Sequence, residues 1–189
     1  IRETWMGGGN DKMDGQVQVD ETYNGDKEKN NHSDKKLKAG HGAVGKVAVV
    51  GMRDENDQVS ATPVKSTGAA TLVGSAQDSA PEGREVVTDE FRAYNGLTAK
   101  GYTHKTLCHS AGEYVRDIAH TNGIKSFWSL LKRGYIGVYH YMSEDHLHRY
   151  INEFSFRRNM SKVGTVAFLN MTIDRMVDKR LTYTDLING

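Results

Sequence analysis

The chain has 189 residues, which is long enough for one domain with its own hydrophobic core. Its 25 Lys and Arg residues nearly balance its 24 Asp and Glu residues, so a formal net charge of +1 excludes a polycation along the whole chain. The single cysteine, Cys108, excludes an internal disulfide framework and fits a reducing cytosol, and no apolar run approaches the roughly 20 residues of a membrane-spanning helix.

The start of the chain predicts a short helical segment, a strand and a long basic loop. Residues 1–6 have helical character and stop at three glycines, so we interpret them as the tail of a preceding element followed by a linker. Valines alternate with polar residues in 16–23, which predicts a strand that carries Asp20. Residues 24–46 hold six lysines against three acids without apolar periodicity, which fits either a loop that contacts nucleic acid or a disordered insertion.

Four further strands and two weak helical segments are predicted in the middle of the chain. Apolar runs and alternation predict the strands, and a turn at 54–57 joins two of them as a hairpin. Glycines weaken the prediction of the first helical segment. The strands are predicted at 47–52, 58–64, 85–88 and 102–108, and the helical segments at 66–77 and 91–97.

Three helices are predicted in the last third of the chain, at 120–133, 143–158 and 165–179. In the first of them, large apolar residues follow the i, i+3, i+4, i+7 spacing of a buried face, opposite a polar stripe that contains Asn122 and Lys125. Strands followed by these helices predict an α/β class, in which helices pack on a mixed sheet. The apolar faces contain Ile124, Phe127, Trp128 and Leu131 in the first helix, and Val166, Leu169, Ile173 and Met176 in the last.

Two aspartates, Asp20 and Asp89, each end a predicted strand and are each followed by a glutamate. Carboxylates at the ends of neighbouring strands can converge and bind Mg²⁺ or Mn²⁺, and a pair of such ions suits phosphodiester displacement. The alternative is that each aspartate is a turn residue or caps the next helix. Because strand alternation turns neighbours to opposite faces, we expect Glu21 and Glu90 to point away from such a site.

Five segments occur in a fixed order along the chain and together resemble one family. That family is the DDE-type transposase domain of bacterial insertion sequences, in its ISXO-like group, and the resemblance covers about residues 16–160. The segments are VDETY at 19–23, TDEFRAY at 88–94, HSAGEYV at 109–115, HTNGIKSFWSLLKRGYIGVYHYMS at 120–143 and HLHRYINEFSFRRN at 146–159.

The resemblance implies an RNase H-like fold, which is a mixed five-stranded sheet flanked by helices, here with a helical C-terminal extension. It divides the chain into the tail of an N-terminal DNA-binding region plus linker at 1–14, a catalytic domain at 15–160 and the extension at 161–189. It also implies two Mg²⁺ ions, with Mn²⁺ as a substitute, bound by Asp20 and Asp89. The implied activity is metal-dependent cleavage of DNA at insertion-sequence ends, followed by strand transfer into target DNA.

The implied setting is a cytoplasmic, nucleoid-associated bacterial protein that acts without a membrane. Its partners would be the transposon ends, the target DNA and further copies of itself in a homo-oligomer. A generic RNase H-like nuclease is a second interpretation of the same fold, and it would hydrolyse DNA without strand transfer.

The third ligand position departs from the family pattern. Members of the family usually read Asn-Gly-Ile-Glu-Ser-Phe-Trp, whereas this chain has Lys125 in place of the glutamate. A protonated lysine cannot bind a metal ion, so the resemblance implies either Asn122 as third ligand or an inactive DNA-binding and assembly module. Asn122 could instead be the N-cap of the helix.

Basic residues are the expected DNA contacts. The resemblance implies that Lys132 contacts a phosphate near the cut, and the alternative is a surface lysine at a helix end. Residues 149–180 hold seven Lys and Arg residues against three acids, which suits either a polyanion or a solvated face. Arg133 begins an aromatic stretch with Tyr135, Tyr139 and Tyr141 that could stack on bases or pack in the core. The further expected DNA contacts are Lys35, Lys36, Lys38, Lys125 and Arg133.

Overall fold

The structure is a computed structural model that describes residues 2–5, 12–25, 43, 45–107 and 121–188. The predicted DNA contacts Lys35, Lys36 and Lys38 lie outside the described residues, as does Cys108. No helix within the described ranges is long and apolar enough to cross a membrane.

Five strands form one mixed sheet in the order β3-β2-β1-β4-β5. β1, β2 and β3 pair antiparallel, whereas β4 runs parallel to β1 and β5 runs parallel to β4. This order and these directions are those of the RNase H-like fold, so the predicted fold class is confirmed. The strands are β1 Val17–Asn24, β2 Val47–Arg53, β3 Val59–Val64, β4 Glu85–Thr88 and β5 Thr103–Thr106.

Helices cover both faces of the sheet and divide the core into two layers. One layer joins α1 to the face of β1 that carries Val17 and Val19. The other joins α2 and α3 to the opposite face, on which Val49 of β2 lies. These packing directions follow from alternation along each buried strand. The helices are α1 Ala69–Ser79, α2 Asn122–Gly134, α3 Leu147–Asn159, α4 Thr165–Asp174 and α5 Tyr183–Asn188.

Helix α2 confirms the predicted buried face. The side chains of Ile124, Phe127, Trp128 and Leu131 are all buried against β2, β3 and α3. The helix continues into a π-helical turn at Tyr135–Tyr139. Two other helices begin later than predicted, because Ser66 and Ser143 start turns ahead of α1 and α3 instead of capping them.

The apolar face of α4 is present but exposed. Val166 and Ile173 keep 72% and 59% of their surface in contact with solvent. The other side of the helix packs, through Phe168 and Thr172, on Trp5 of the short helix Arg2–Trp5. Helical spacing therefore predicted which residues share a face, while the location of the packing partner decided which face is buried.

Candidate active site

Strand β1 lies at the centre of the sheet and places Asp20 beside an open edge. Asp20 is only 6% exposed, because helices and strands pack around this strand. β1 pairs with β4 only at Val17 and Gln18, so no further rung of this ladder covers the β1 edge at Asp20. Asp89 directly follows the end of β4 on the other side of this opening. The register therefore brings the two predicted aspartates together.

Three carboxylates meet at this edge and form an acidic cluster of Asp20, Glu21 and Asp89. One oxygen from each residue lies within 4.8 Å of the others. The expectation that alternation turns Glu21 away from the site is wrong for its carboxylate. Asp20 and Glu21 do leave β1 on opposite faces, towards Trp128 and Tyr94 respectively, but both side chains meet around the open edge.

Burial and mutual repulsion make the carboxyl groups of the acidic cluster harder to ionise. Burial raises the pKa of Asp20 to about 7, and repulsion from Asp89 and Glu21 adds to this effect. Burial also raises the pKa of Glu21, although the hydroxyl of Tyr94 donates a hydrogen bond of 2.8 Å to that carboxylate. The same burial raises the pKa of Tyr94, which keeps its hydroxyl protonated as a donor. A cation from outside the chain would relieve this repulsion.

The donor set fits a divalent cation. All three groups offer carboxylate oxygens, which are the hard ligands that Mg²⁺ and Mn²⁺ prefer. Their ionised forms repel one another at the observed separation, so the charge of a bound ion would offset the cost of ionising buried Asp20. The residues present at this edge are therefore suitable for the metal that the sequence predicts.

Helix α2 is attached to β1 at two points. The backbone N–H of Ile124 donates to the side-chain oxygen of Gln18 at 3.1 Å, which satisfies a donor in the first turn of the helix. One turn further on, the indole Nε1 of Trp128 donates to Oδ2 of Asp20 at 3.1 Å. Gly51 pairs with Asp20 on β2, and a Cβ at Gly51 would clash with the Trp128 ring. A glycine here makes the Trp128 contact possible.

The predicted third-ligand region stands at the start of α2. Asn122 is the first helical residue and is exposed, while Thr121 occupies the N-cap position. Lys125 lies one turn on, and its positive charge partly offsets the rise that burial causes in the pKa of both Asp20 and Glu21. The substituted lysine therefore acts on the acidic cluster electrostatically. Asn122 as a metal ligand stays a prediction.

The remaining predicted contacts lie further along the same helix. Lys132 and Arg133 are exposed in its last turn, roughly 15 Å along the axis from Asn122. Tyr135 is buried and Tyr139 packs on Tyr150, so core packing explains these two aromatic residues. Tyr141 of this stretch is exposed.

Sequence reasoning missed Glu21, Tyr94 and Trp128 as members of this site. Trp128 could have been found, because a buried indole N–H usually has a hydrogen-bond partner and Asp20 was the nearest predicted chemistry. Glu21 could not, because its contribution depends on where the pairing of β1 with β4 stops.

Comparisons with known proteins identify the family. A family model described as an ISXO2-like transposase domain matches residues 12–159. No curated protein matches the chain. One similar solved structure is the dimeric form of the HTLV-2 integrase catalytic core domain in complex with magnesium, with 13% identity, a TM-score of 0.46, and coverage of 78% of this chain and 88% of that chain. Its trimeric form has 16% identity, a TM-score of 0.47, and coverage of 86% and 99%.

Proposed function

The chain belongs to the ISXO2-like transposase domain family, and from that premise we propose that it cleaves DNA at insertion-sequence ends and transfers the resulting 3′ ends to target DNA. The observation that carries the proposal is the acidic cluster at the open edge between β1 and β4. Residues 15–160 would form the catalytic domain, with 1–14 as the tail of a DNA-binding region and 161–189 as an extension. The protein would act as a homo-oligomer in the bacterial cytoplasm, on DNA of the nucleoid.

Each residue of the site has a proposed role. Asp20 and Asp89 would hold two Mg²⁺ ions, and Asn122 would offer an amide oxygen from the start of α2. Glu21 adds negative charge beside them, with one of its oxygens engaged by Tyr94. Trp128 holds Oδ2 of Asp20 and so orients the carboxylate towards the opening. Bound divalent ions would supply activation of water and stabilisation of charge on the attacking and leaving oxygens.

Replacing Asp89 by Asn tests the proposed site. Asn keeps an oxygen that can accept the hydrogen bond Asp89 receives from the backbone N–H of Phe91, so the turn should persist. We expect Asp89→Asn to abolish Mg²⁺-dependent cleavage of a cognate end in a gel assay, with DNA binding retained. The matched control is Asp78→Asn, because Asp78 is exposed on α1. Unchanged cleavage by Asp89→Asn would contradict the assignment of this site.

A second candidate function is an inactive DNA-binding and assembly module. The observation that favours it is Lys125, whose positive charge acts on Asp20 and Glu21 at the position where the family resemblance implies a glutamate. This candidate predicts end binding without cleavage, and a Lys125→Glu variant that gains activity would identify a decayed enzyme. Cleavage by the unaltered chain would instead support Asn122 as a sufficient third ligand. A strand-transfer assay separates both from a generic nuclease, which would give hydrolysis alone.

A further inference from the structure

We infer that the chain has a second nucleic-acid site, a basic cavity that binds the phosphate backbone of DNA away from the acidic cluster. The cavity has a volume of about 1070 Å³ and lies between the short helix Arg2–Trp5, helix α3 and the segment that follows α4. This inference rests on the proposed action on DNA and adds a place where flanking DNA is held.

The basic cavity concentrates positive charge in a nearly neutral chain. Its lining contains five Lys and Arg residues against two acids, an excess of three, whereas the whole chain has a net charge of only +1. Four of the seven basic residues of 149–180 therefore line this cavity, and a cation from the short helix Arg2–Trp5 joins them there. The cations are Arg2, Arg149, Arg157, Lys179 and Arg180, and the acids are Glu153 and Asp178.

A buried glutamate holds two of these guanidinium groups in place. Glu153 accepts from Nε of Arg2 at 2.6 Å and from Nη2 of Arg157 at 2.9 Å, and its side chain is only 5% exposed. The Arg2 guanidinium also lies over the Tyr150 ring, and that of Arg157 lies over the Trp5 ring. A guanidinium has five N–H donors, so each arginine keeps donors for a phosphate after its bond to Glu153.

Exposure makes these donors available to a ligand. The side chains of Arg2 and Arg157 are 40% and 60% exposed, and Lys179 and Arg180 are also exposed. Cations from three separate elements line an open cavity, which suits an extended chain of phosphates better than a single small anion.

The position of the cavity in the fold assigns it to flanking DNA. Helix α3 packs on β3 at one edge of the sheet, whereas the acidic cluster lies between β1 and β4. The phosphodiester at the acidic cluster and the phosphates in the basic cavity must then belong to different parts of the bound DNA. Contacts of this kind fix the position of DNA without reading its sequence.

A charge-reversal pair tests the basic cavity. We compare Lys179→Glu/Arg180→Glu with the control Lys65→Glu/Lys100→Glu, which makes the same change of charge at exposed positions outside the cavity. Binding of a labelled DNA duplex is followed by fluorescence anisotropy, without divalent metal, over a range of salt concentrations. A plot of log affinity against log salt concentration has a negative slope, and each lost phosphate contact makes it less steep by about 0.9. We therefore expect the slope of the cavity pair, Lys179→Glu/Arg180→Glu, to be less steep by about 2. We also expect at least a tenfold greater loss of affinity than in the control.

Equal slopes and affinities for the two pairs would overturn the inference and would leave an acidic protein segment as the better occupant. Circular dichroism of both pairs checks that the fold is intact, and Lys179→Gln/Arg180→Gln repeats the test with a milder change. Cleavage of a short duplex separates the two proposals. If Lys179→Glu/Arg180→Glu binds DNA weakly but still cleaves it at saturating protein, both the proposed catalysis and the basic cavity are supported. If the unaltered chain binds DNA through the cavity but does not cleave it, only the proposed catalysis is contradicted.

Discussion

The acidic cluster and the basic cavity both collect like charges, but the chain compensates them very differently. In the basic cavity, one buried carboxylate bridges two arginines and aromatic rings support both guanidinium groups. In the acidic cluster, three carboxylates meet at a partly buried edge, and burial with mutual repulsion raises the pKa of Asp20 despite Lys125 and Trp128. Two of the five cations of the cavity are thus paired with a carboxylate of the chain, whereas the acidic cluster remains short of positive charge.

This difference separates two kinds of functional surface. A charged surface that only holds a polyanion can keep its geometry through internal ion pairs, because the ligand shares donors that the protein already orients. A site that must bind a metal ion keeps ionisable oxygens close together, and the free protein is less stable as a result. Removing a carboxylate from the acidic cluster should therefore raise the stability of the free protein, whereas removing the buried carboxylate of the basic cavity should lower it.

The largest expected effect comes from removing the charge of Asp20. Its pKa is raised from 3.8 to about 7 in the folded chain, so the folded state binds this proton more tightly than the unfolded state. The metal-free protein should lose stability as pH rises from about 4 to about 7, by at most roughly 4 kcal/mol. Asp20→Asn should lose most of this pH dependence and be more stable than the unaltered chain at pH 8, by roughly 1–4 kcal/mol.

Urea unfolding in the presence of a chelator, at pH 5 and pH 8, measures this effect. Asp78→Asn is the control, because this residue is exposed on α1 and does not belong to the cluster. If the stability of Asp20→Asn keeps the pH dependence of the unaltered chain, the charge of Asp20 does not destabilise the free protein.

An intermediate effect is expected from Glu153→Gln in the basic cavity. The change leaves Arg2 and Arg157 facing a neutral side chain, and because both arginines are partly exposed the cost should be about 1–3 kcal/mol of unfolding free energy. The local charge becomes more positive, so DNA affinity should rise while stability falls. Thermal unfolding and anisotropy measure the two quantities, with Glu144→Gln at an exposed position as control. A rise in both stability and affinity would show that Glu153 does not hold the cavity together.

The smallest expected effect is that of Trp128→Phe, which sharpens the description of the acidic cluster. Phenylalanine keeps much of the buried ring but removes the N–H that donates to Asp20, at a cost of about 1–2 kcal/mol in stability. We expect Mn²⁺ affinity, measured by titration calorimetry, to fall about tenfold because Asp20 is less well oriented. Trp5→Phe is the matched control, since Trp5 packs on Phe156 away from the cluster. Equal Mn²⁺ affinities in both variants would show that Trp128 does not orient Asp20 for metal binding.

Local pattern predicted much of this architecture. Alternation and apolar runs located the five strands, and helical spacing located the buried face of α2. Asp20 and Asp89 were correctly expected to lie close together, but Asp20 lies in the middle of β1 and not at its end. These features depend on neighbours along the chain, so a single sequence contains them. The family resemblance implied a mixed five-stranded sheet, whereas the order of its strands comes from the structure, because no single segment encodes which strands become neighbours.

The features that escaped prediction depend on residues distant in sequence. Glu21 joins the acidic cluster because the β1–β4 ladder stops at Gln18, and no local pattern encodes that end point. The apolar face of α4 was correctly identified, but its exposure depends on Trp5 occupying the other side of the helix. In the same way, the charge count of 149–180 indicated a basic region without showing that Arg2 completes it.

The hydrogen bond between Trp128 and Asp20 makes Trp128 an intrinsic fluorescence probe of the acidic cluster. The chain contains only two tryptophans, and the emission of an indole responds to a charge beside it. In the Trp5→Phe protein, the remaining fluorescence comes from Trp128, whose N–H touches a carboxylate of the acidic cluster. Protonation of that carboxylate, or the arrival of a cation beside it, can then be followed in real time without a label.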